Sequence, residues 1–330
     1  HQILQKCRFE VQSLASASNL RFSWVIIRNY VFRPLSFFMS ILLNNTDRFE
    51  SFYQGNSGHT VILLPGLCGS SLEMGAIPRL LQQSNVSFVV PKIPGYSAHT
   101  ALTDYFEWIE YVDALCTELQ EMKELVSLVG LSMGATLALS VASRNHKIQS
   151  LCILSPVLFF DGWSVPWYHP FLSLIYKIGI RNWHYKETEP YGVKNKELRR
   201  HIRKAVQANS ISELGAAHLP AKHLYQSLQL IKDAKKYLNE VTADALVIHA
   251  IDDETASPKN PDFILSKIAS ETRRVIWLGN SYHMITVDNE REIVANEVIN
   301  FIELSIEKSN LATSMNISNP HLIIKNRGGN

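Results

Sequence analysis

The chain has 330 residues, 46% of them hydrophobic and 19% charged, which excludes a mini-protein and wholesale disorder. Thirty-two basic residues against thirty acidic ones leave a net charge of +2, too weak a field to draw in nucleic acid. Four cysteines (Cys7, Cys68, Cys116, Cys152) lie far apart with no C-x-x-C pair, which argues against a disulfide scaffold or a structural zinc site and predicts a reducing, cytoplasmic setting.

The sequence begins at His1 rather than Met, so it reads as a processed product or a fragment. From Phe22 to Leu43 it is strongly apolar (FSWVIIRNYVFRPLSFFMSILL). Arg28 and Arg33 each cost about 2.5–3.5 kcal/mol at a bilayer centre, and Pro34 interrupts a helix, so a membrane span is disfavoured. Asn29, Arg33, Ser36 and Ser40 share one narrow polar sector of a helical wheel. An arm packed on the protein's own core, or one lying peripherally in a membrane interface, accounts for the pattern better.

After residue 45 a regular rhythm sets in. Residues 59–65 (HTVILLP) form a short apolar, β-branched run closed by Gly66, and residues 71–83 are helix-like. Residues 87–91 predict a second buried strand, and residues 104–123 a long amphipathic helix with Asp104 as its N-cap. A third strand over 125–131, a small-residue helix over 133–145 and a fourth strand over 148–154 follow. Strands separated by such helices predict a mostly parallel sheet covered on both faces. Near Phe159 the rhythm stops. Residues 161–238 are rich in Trp, Tyr, His and basic residues, hold no clear apolar strand, and show helical periodicity at 195–207 and 218–238. The α/β rhythm returns with strands at 245–249 (ALVIH) and 274–278 (RVIWL), a helix near 263–269 and a last helix over 290–304. The predicted layout is an apolar arm (1–45), an α/β core (46–158 and 244–305), a helical cap or lid (159–243) and a flexible polar tail (306–330).

Gly130-Leu131-Ser132-Met133-Gly134 is a G-x-S-x-G element between the apolar run LVSLV and the helix MGATLALSVA. Strand–turn–helix is the setting a nucleophile elbow requires, and the helix N-terminus behind Ser132 presents a positive dipole end to a developing oxyanion. A serine alkoxide does not form unaided at neutral pH, so a base and an orienting acid must follow. His283 lies in the loop after the last strand, where catalysis concentrates in open α/β sheets. His249 sits inside a strand and reads as structural. The loop after ALVIH offers three carboxylates, Asp252, Asp253 and Glu254, for the acid. The glycine-flanked loop PGLCGSS after the first clear strand can turn backbone N–H groups inward as half of an oxyanion hole, and the amide of Met133 supplies the other donor. Cys68 in that loop has no evident base and reads as a small packed thiol.

The segments PGLCGSS, IPGY, GLSMG, HAIDDETASP and SYHMITVD together resemble the α/β-hydrolase superfamily, in particular its bacterial carboxylesterase and monoacylglycerol-lipase branch. The resemblance covers roughly residues 55–305, and its last two motifs are specific to that branch. It implies an α/β-hydrolase fold with a helical cap, Ser132 as nucleophile, His283 as base, and Leu67 and Met133 as oxyanion donors. Counting three residues from Ala250, as the family does, selects Asp253 as the acid. Two departures stand out: Pro65 replaces the usual His before the oxyanion glycine, and the insertion is longer than in the smallest esterases.

The expected activity is therefore hydrolysis of a small ester or lipid-like substrate through an acyl-enzyme, with no metal or cofactor and no nucleic-acid partner. An acyltransferase or thioesterase would use the same three residues, and a non-catalytic binding module on the fold would have lost one of them. The aromatic density of residues 162–185 (Trp163, Trp167, Tyr168, Phe171, Leu174, Tyr176, Trp183) predicts that several of these side chains line an acyl pocket over Ser132; otherwise they glue the cap to the sheet.

Overall fold

Runs in which nearly every residue is apolar and many are β-branched can bury both faces only inside a sheet, and the chain uses them so. The computed structural model describes residues 46–98, 100–186, 188–209 and 218–318. They fall in one compact unit, Thr46–Asn330; the other, His1–Asn45, lies outside the described residues, and with it the apolar arm from Phe22 to Leu43.

In chain order the elements are strand β1 (Phe49–Tyr53), β2 (His59–Leu64), a 3-10 turn (Ser71–Met74), helix α1 (Ile77–Gln83), β3 (Ser87–Pro91), α2 (Tyr105–Glu121), β4 (Leu125–Leu131), α3 (Met133–Ala142) and β5 (Ile148–Leu154). The insertion adds α4 (Leu172–Lys177), β6 (His184–Lys186), α5 (Lys196–Asn209), β7 (His218–Pro220) and α6 (Ala221–Tyr237). Strand β8 (Asp244–Ala250), α7 (Lys259–Lys267), β9 (Arg273–Leu278) and α8 (Arg291–Ser318) complete it. Seven strands form one sheet in the order β1-β3-β2-β4-β5-β8-β9. Every neighbouring pair is parallel except β1 with β3. This is the α/β-hydrolase class of architecture that the motifs implied.

The chain leaves β2 for β3 on one side and returns to β4 on the other, so β2 and β4 flank the point where the strand order reverses. Ligands bind outside the carboxyl ends of strands at such a point. Leu64 pairs with Gly130 across this boundary, which brings the loop after β2 and the turn after β4 side by side. Beneath them Val61, Leu63, Val129, Leu131, Cys152, Leu246 and Ile248 form one buried core.

Helix α2 starts where its sequence dictates. The Asp104 carboxylate accepts the Phe106 N–H at 3.0 Å and Glu107 reaches back to the Asp104 N–H, a reciprocal cap. Its apolar positions Trp108, Val112, Leu115 and Leu119 are buried, one helical stripe against the sheet.

In the insertion and at the chain's end, three features depart from the sequence expectations. The insertion holds a two-stranded antiparallel ribbon, β6 with β7, where no strand was predicted. Helix α6 lies inside the predicted cap boundaries yet packs on α2 and α3, so it covers the sheet. The last helix continues to Ser318, through the start of the predicted loose tail; residues 319–330 lie outside the described residues. Among the described residues no helix is long and apolar enough to cross a membrane.

Candidate active site

Ser132 occupies the one-residue turn between β4 and α3 with φ 57° and ψ −117°, a conformation that a non-glycine residue holds only when its surroundings enforce it. The surroundings are backbone. A Cβ on Gly134 would lie 2.1 Å from the Leu64 carbonyl oxygen, and one on Gly130 would lie 2.4 Å from the Gly134 carbonyl oxygen. Both motif glycines thus allow a helix and two strands to approach more closely than any side chain permits. The Ser132 N–H donates to the Leu154 carbonyl at 2.8 Å, which fixes the turn against β5.

His283 Nε2 lies 2.8 Å from Ser132 Oγ, and its Nδ1 lies 2.8 and 3.0 Å from the two oxygens of Asp253. A carboxylate accepts only, so Nδ1 carries the proton and Nε2 is left to accept from the serine hydroxyl. Asp253 is 2% exposed, and its Oδ1 also accepts the N–H groups of Thr255 and Ala256, both at 2.9 Å. Burial alone would raise its pKa; the charge and hydrogen bonds of His283, the nearby His249 and the Ala256 amide outweigh burial and hold it below the usual value. Asp252 stands apart, with an exposed carboxylate paired to Lys194 Nζ at 2.8 Å. The structure brings Ser132, His283 and Asp253 together and leaves Asp252 outside.

The remaining acid, Glu254, has a different place. Its Oε2 accepts the backbone N–H of His283 at 3.1 Å, so it positions the loop that carries that imidazole. Burial, helped by the Asp253 charge, raises its pKa. His249 is buried beneath the pair, its Nε2 donating to the Ala256 carbonyl at 2.8 Å and lying 3.6 Å from Asp253 Oδ2. Burial lowers its pKa and keeps it neutral.

Leu67 and Met133 both border the pocket at Ser132. Met133 is the first residue of α3, where backbone N–H groups have no partner within the helix. Leu67 lies in a turn closed by the Gly69 N–H on the Gly66 carbonyl at 2.9 Å, with Cys68 at φ 58°. Cys68 is buried and does not border the pocket. Beneath this turn lies Glu73, which sequence reasoning passed over. It is 5% exposed, borders the pocket, and accepts the Gly66 N–H at 2.8 Å, while Tyr96 Oη donates to the Pro65 carbonyl at 3.1 Å. Together they brace the loop from below, around the position where the family usually has a histidine.

Asp288, the last residue of SYHMITVD, is buried and accepts four backbone N–H groups. Oδ2 takes Lys194 at 2.7 Å and Tyr282 at 2.8 Å; Oδ1 takes Asn195 at 2.8 Å and Asn289 at 2.9 Å. One of these immediately precedes His283, one follows Asp288 itself, and two lie in the insertion.

The pocket over Ser132 has a volume of about 170 Å³. From the insertion it is bordered by Phe160, Val165, His169, Tyr185, Tyr191 and Ile202, among others. None of the seven aromatic-segment side chains, several of which were expected to line it, lies on its border, which corrects that expectation. Trp167 is 83% and Phe171 53% exposed, with their ring centroids 6.5 Å apart. Trp163 donates to the Asp252 carbonyl, holding the insertion to the loop after β8, and Tyr176 of α4 stacks on Tyr225 of α6 at 4.4 Å. Aromatic density marked the segment but not the face each ring presents. Among the described residues no cluster of His, Cys, Asp and Glu is arranged to hold a metal ion.

A thermostable monoacylglycerol lipase of Bacillus sp. (strain H-257) is 22% identical over 255 residues, spanning 76% of this chain and 93% of its own. Two solved monoacylglycerol lipase structures share the fold. That of Paleococcus ferrophilus superposes with a TM-score of 0.64 at 16% identity, covering 78% of this chain and 97% of its own. The soluble variant from Saccharomyces cerevisiae superposes with a TM-score of 0.61 at 14% identity, covering 78% and 90%. The model of the family described as serine aminopeptidase, S33, matches residues 55–291, and with its α/β-hydrolase fold the chain belongs to that family.

Proposed function

We propose that this protein hydrolyses carboxylic esters through an acyl-enzyme on Ser132. The observation that carries the reading is the unbroken relay from Ser132 Oγ to His283 Nε2, and from Nδ1 to a buried carboxylate. Nε2 takes the serine proton as Oγ attacks the ester carbonyl, and Asp253 steadies the imidazolium that forms. The carbonyl oxygen becomes an oxyanion held by the amides of Met133 and Leu67. Nε2 then returns the proton to the departing alcohol, leaving an acyl group on Ser132. In the second half Nε2 takes a proton from water, the resulting hydroxide attacks the acyl carbonyl, and the carboxylic acid leaves as Ser132 recovers its proton.

The relatives' names support ester over peptide cleavage, although the family description names an aminopeptidase. A pocket of about 170 Å³, below the roughly 300–1,000 Å³ typical of drug-sized ligands, favours a short or medium acyl part. An acyltransferase or thioesterase shares every step up to the acyl-enzyme. The test is fluorophosphonate labelling with Ser132→Ala as control, followed by a panel of p-nitrophenyl esters, monoglycerides, acyl thioesters and aminoacyl anilides. Labelling that depends on Ser132, with turnover greatest on oxygen esters, is expected; labelling that survives Ser132→Ala sinks the reading.

A further inference from the structure

Beside the catalytic pocket, and separated from it by Phe160 and His169, lies a larger open groove of about 840 Å³. The two rings that form this wall have centroids 4.5 Å apart and border both spaces. The floor of the groove is apolar, built from Leu158, Ile231 and Phe263 at the seam between the sheet domain and the insertion. Its rim carries Lys232 and Lys235, one helical turn apart on α6, and Lys259 at the start of α7.

Three lysines and one carboxylate, Asp161, border the groove, so its charge balance is positive. Among the described residues none of the three is in an ion pair. The Lys235 Nζ sits 3.5 Å from the centroid of the Phe159 ring, and partial burial lowers its pKa despite the Asp161 charge in the same groove. The Asp161 carboxylate is engaged elsewhere, accepting the Ser257 N–H at 2.9 Å, the Ser257 hydroxyl at 2.7 Å and an Asn260 N–H at 3.2 Å. Those donors are neutral, so Asp161 offsets only one of the three positive charges, and a partly desolvated ammonium outside any ion pair is stabilised by an incoming anion. An apolar tail alone would gain nothing from three ammonium groups, and a small anion alone would leave the floor unfilled.

We propose that this groove binds an alkyl carboxylate, its chain on the apolar floor and its head on Lys232, Lys235 and Lys259. The choice of a carboxylate rests on the ester-hydrolase reading, because that reaction releases a carboxylic acid, ionised at neutral pH, on the other side of the Phe160–His169 wall. A chain too long for the catalytic pocket has the larger space one side chain away.

The test is calorimetric titration of the full chain with decanoate after phenylmethylsulfonyl fluoride has filled the space at Ser132. Saturable binding is expected, at least about tenfold weaker for decyltrimethylammonium, which has the same tail and the opposite charge. A similar loss is expected for decanoate in the variant K232Q/K235Q/K259Q, whose folding is checked by its melting temperature. Binding abolished by sulfonylation would assign the ligand to the catalytic pocket and overturn the proposal. Equal affinity for the two charges, or no effect of the triple variant, overturns it as well. If Ser132 resists the reagent and no ester is turned over, the hydrolase reading fails by itself. Titration of the untreated chain and the triple variant then decides the groove separately.

Discussion

Replacing Asp253 by Asn exchanges one oxygen for an NH₂ group, and the loop decides which. Oδ1 accepts the Thr255 and Ala256 amides while Oδ2 faces His283 Nδ1. An Asn that keeps its oxygen toward the two amides puts NH₂ against Nδ1. The imidazole must then carry its proton on Nε2, where it can no longer accept from Ser132. The opposite flip restores the useful tautomer but sets NH₂ against two buried N–H donors. Leaving both unsatisfied costs about 1–3 kcal/mol each, or about 2–6 kcal/mol together. The competent form is thereby depleted by about 30-fold to about 10⁴-fold, and the upper end matches the loss of about 10⁴ for the equivalent change in a serine protease. The assay is kcat on a p-nitrophenyl ester, with the melting temperature as a check on folding. Asp252→Asn removes only an exposed partner of Lys194 and should change kcat less than about threefold. A loss under tenfold in Asp253→Asn, or an equal loss in Asp252→Asn, refutes the reasoning.

Asp288→Ala strips the acceptor from four backbone N–H groups and should cost about 3–5 kcal/mol in denaturant unfolding. Because one of those groups, the Tyr282 N–H, immediately precedes His283, kcat should fall more than KM rises; an unchanged kcat would show that His283 is held by other means. His59, buried and bonded through Nε2 to Ser127 Oγ at 2.8 Å, has its pKa pushed down by burial to about 4. The unfolded chain takes up this proton near pH 6.5 and the folded chain only near pH 4, so stability should fall with pH across that window, by up to about 3 kcal/mol from this residue. His59→Gln should flatten the acid limb of a melting-temperature profile; an unaltered limb would assign the acid sensitivity to other groups.

Much of the sheet was legible because β2 to β5 are read twice, once by apolar content and once by the Gly, Pro or Ser that ends each. The bounds of β3, β4 and β5 fall where the sequence predicts them. Strand β1 escaped because FESFY alternates over only five residues at an antiparallel edge, and β6 because HYK is polar and half-exposed. Helical spacing over 71–83 concealed a break at Gly75, whose φ of 57° ends the 3-10 turn that carries Glu73. No spacing rule links Glu73 to Gly66 or Glu254 to the His283 amide, since both depend on how separate loops meet. The relay itself was readable because each member sits just past a strand end, and the carboxyl ends of parallel strands share one edge of the sheet. Choosing among the three acids needed the family's count.

The four amides gathered by Asp288 tie Lys194 and Asn195, midway through the insertion, to the segment bearing His283, and Asn260 of α7 holds the insertion's first root, its Oδ1 accepting the Leu158 and Phe159 amides at 2.7 Å. The Met284 N–H on the Gly192 carbonyl at 2.8 Å adds a further stitch. Such an insertion is not hinged like a door. Freedom to admit a substrate belongs to the stretches between these ties, and any swing at Lys194–Asn195 pulls on the segment that carries His283. For anyone transplanting specificity from a relative, the seam is therefore dictated by the carboxylate: a foreign cap joined after Phe160 and before Tyr191 leaves these ties to the His283 segment in place, whereas a join made beyond Asn195 replaces two of the four amides on Asp288 along with the cap.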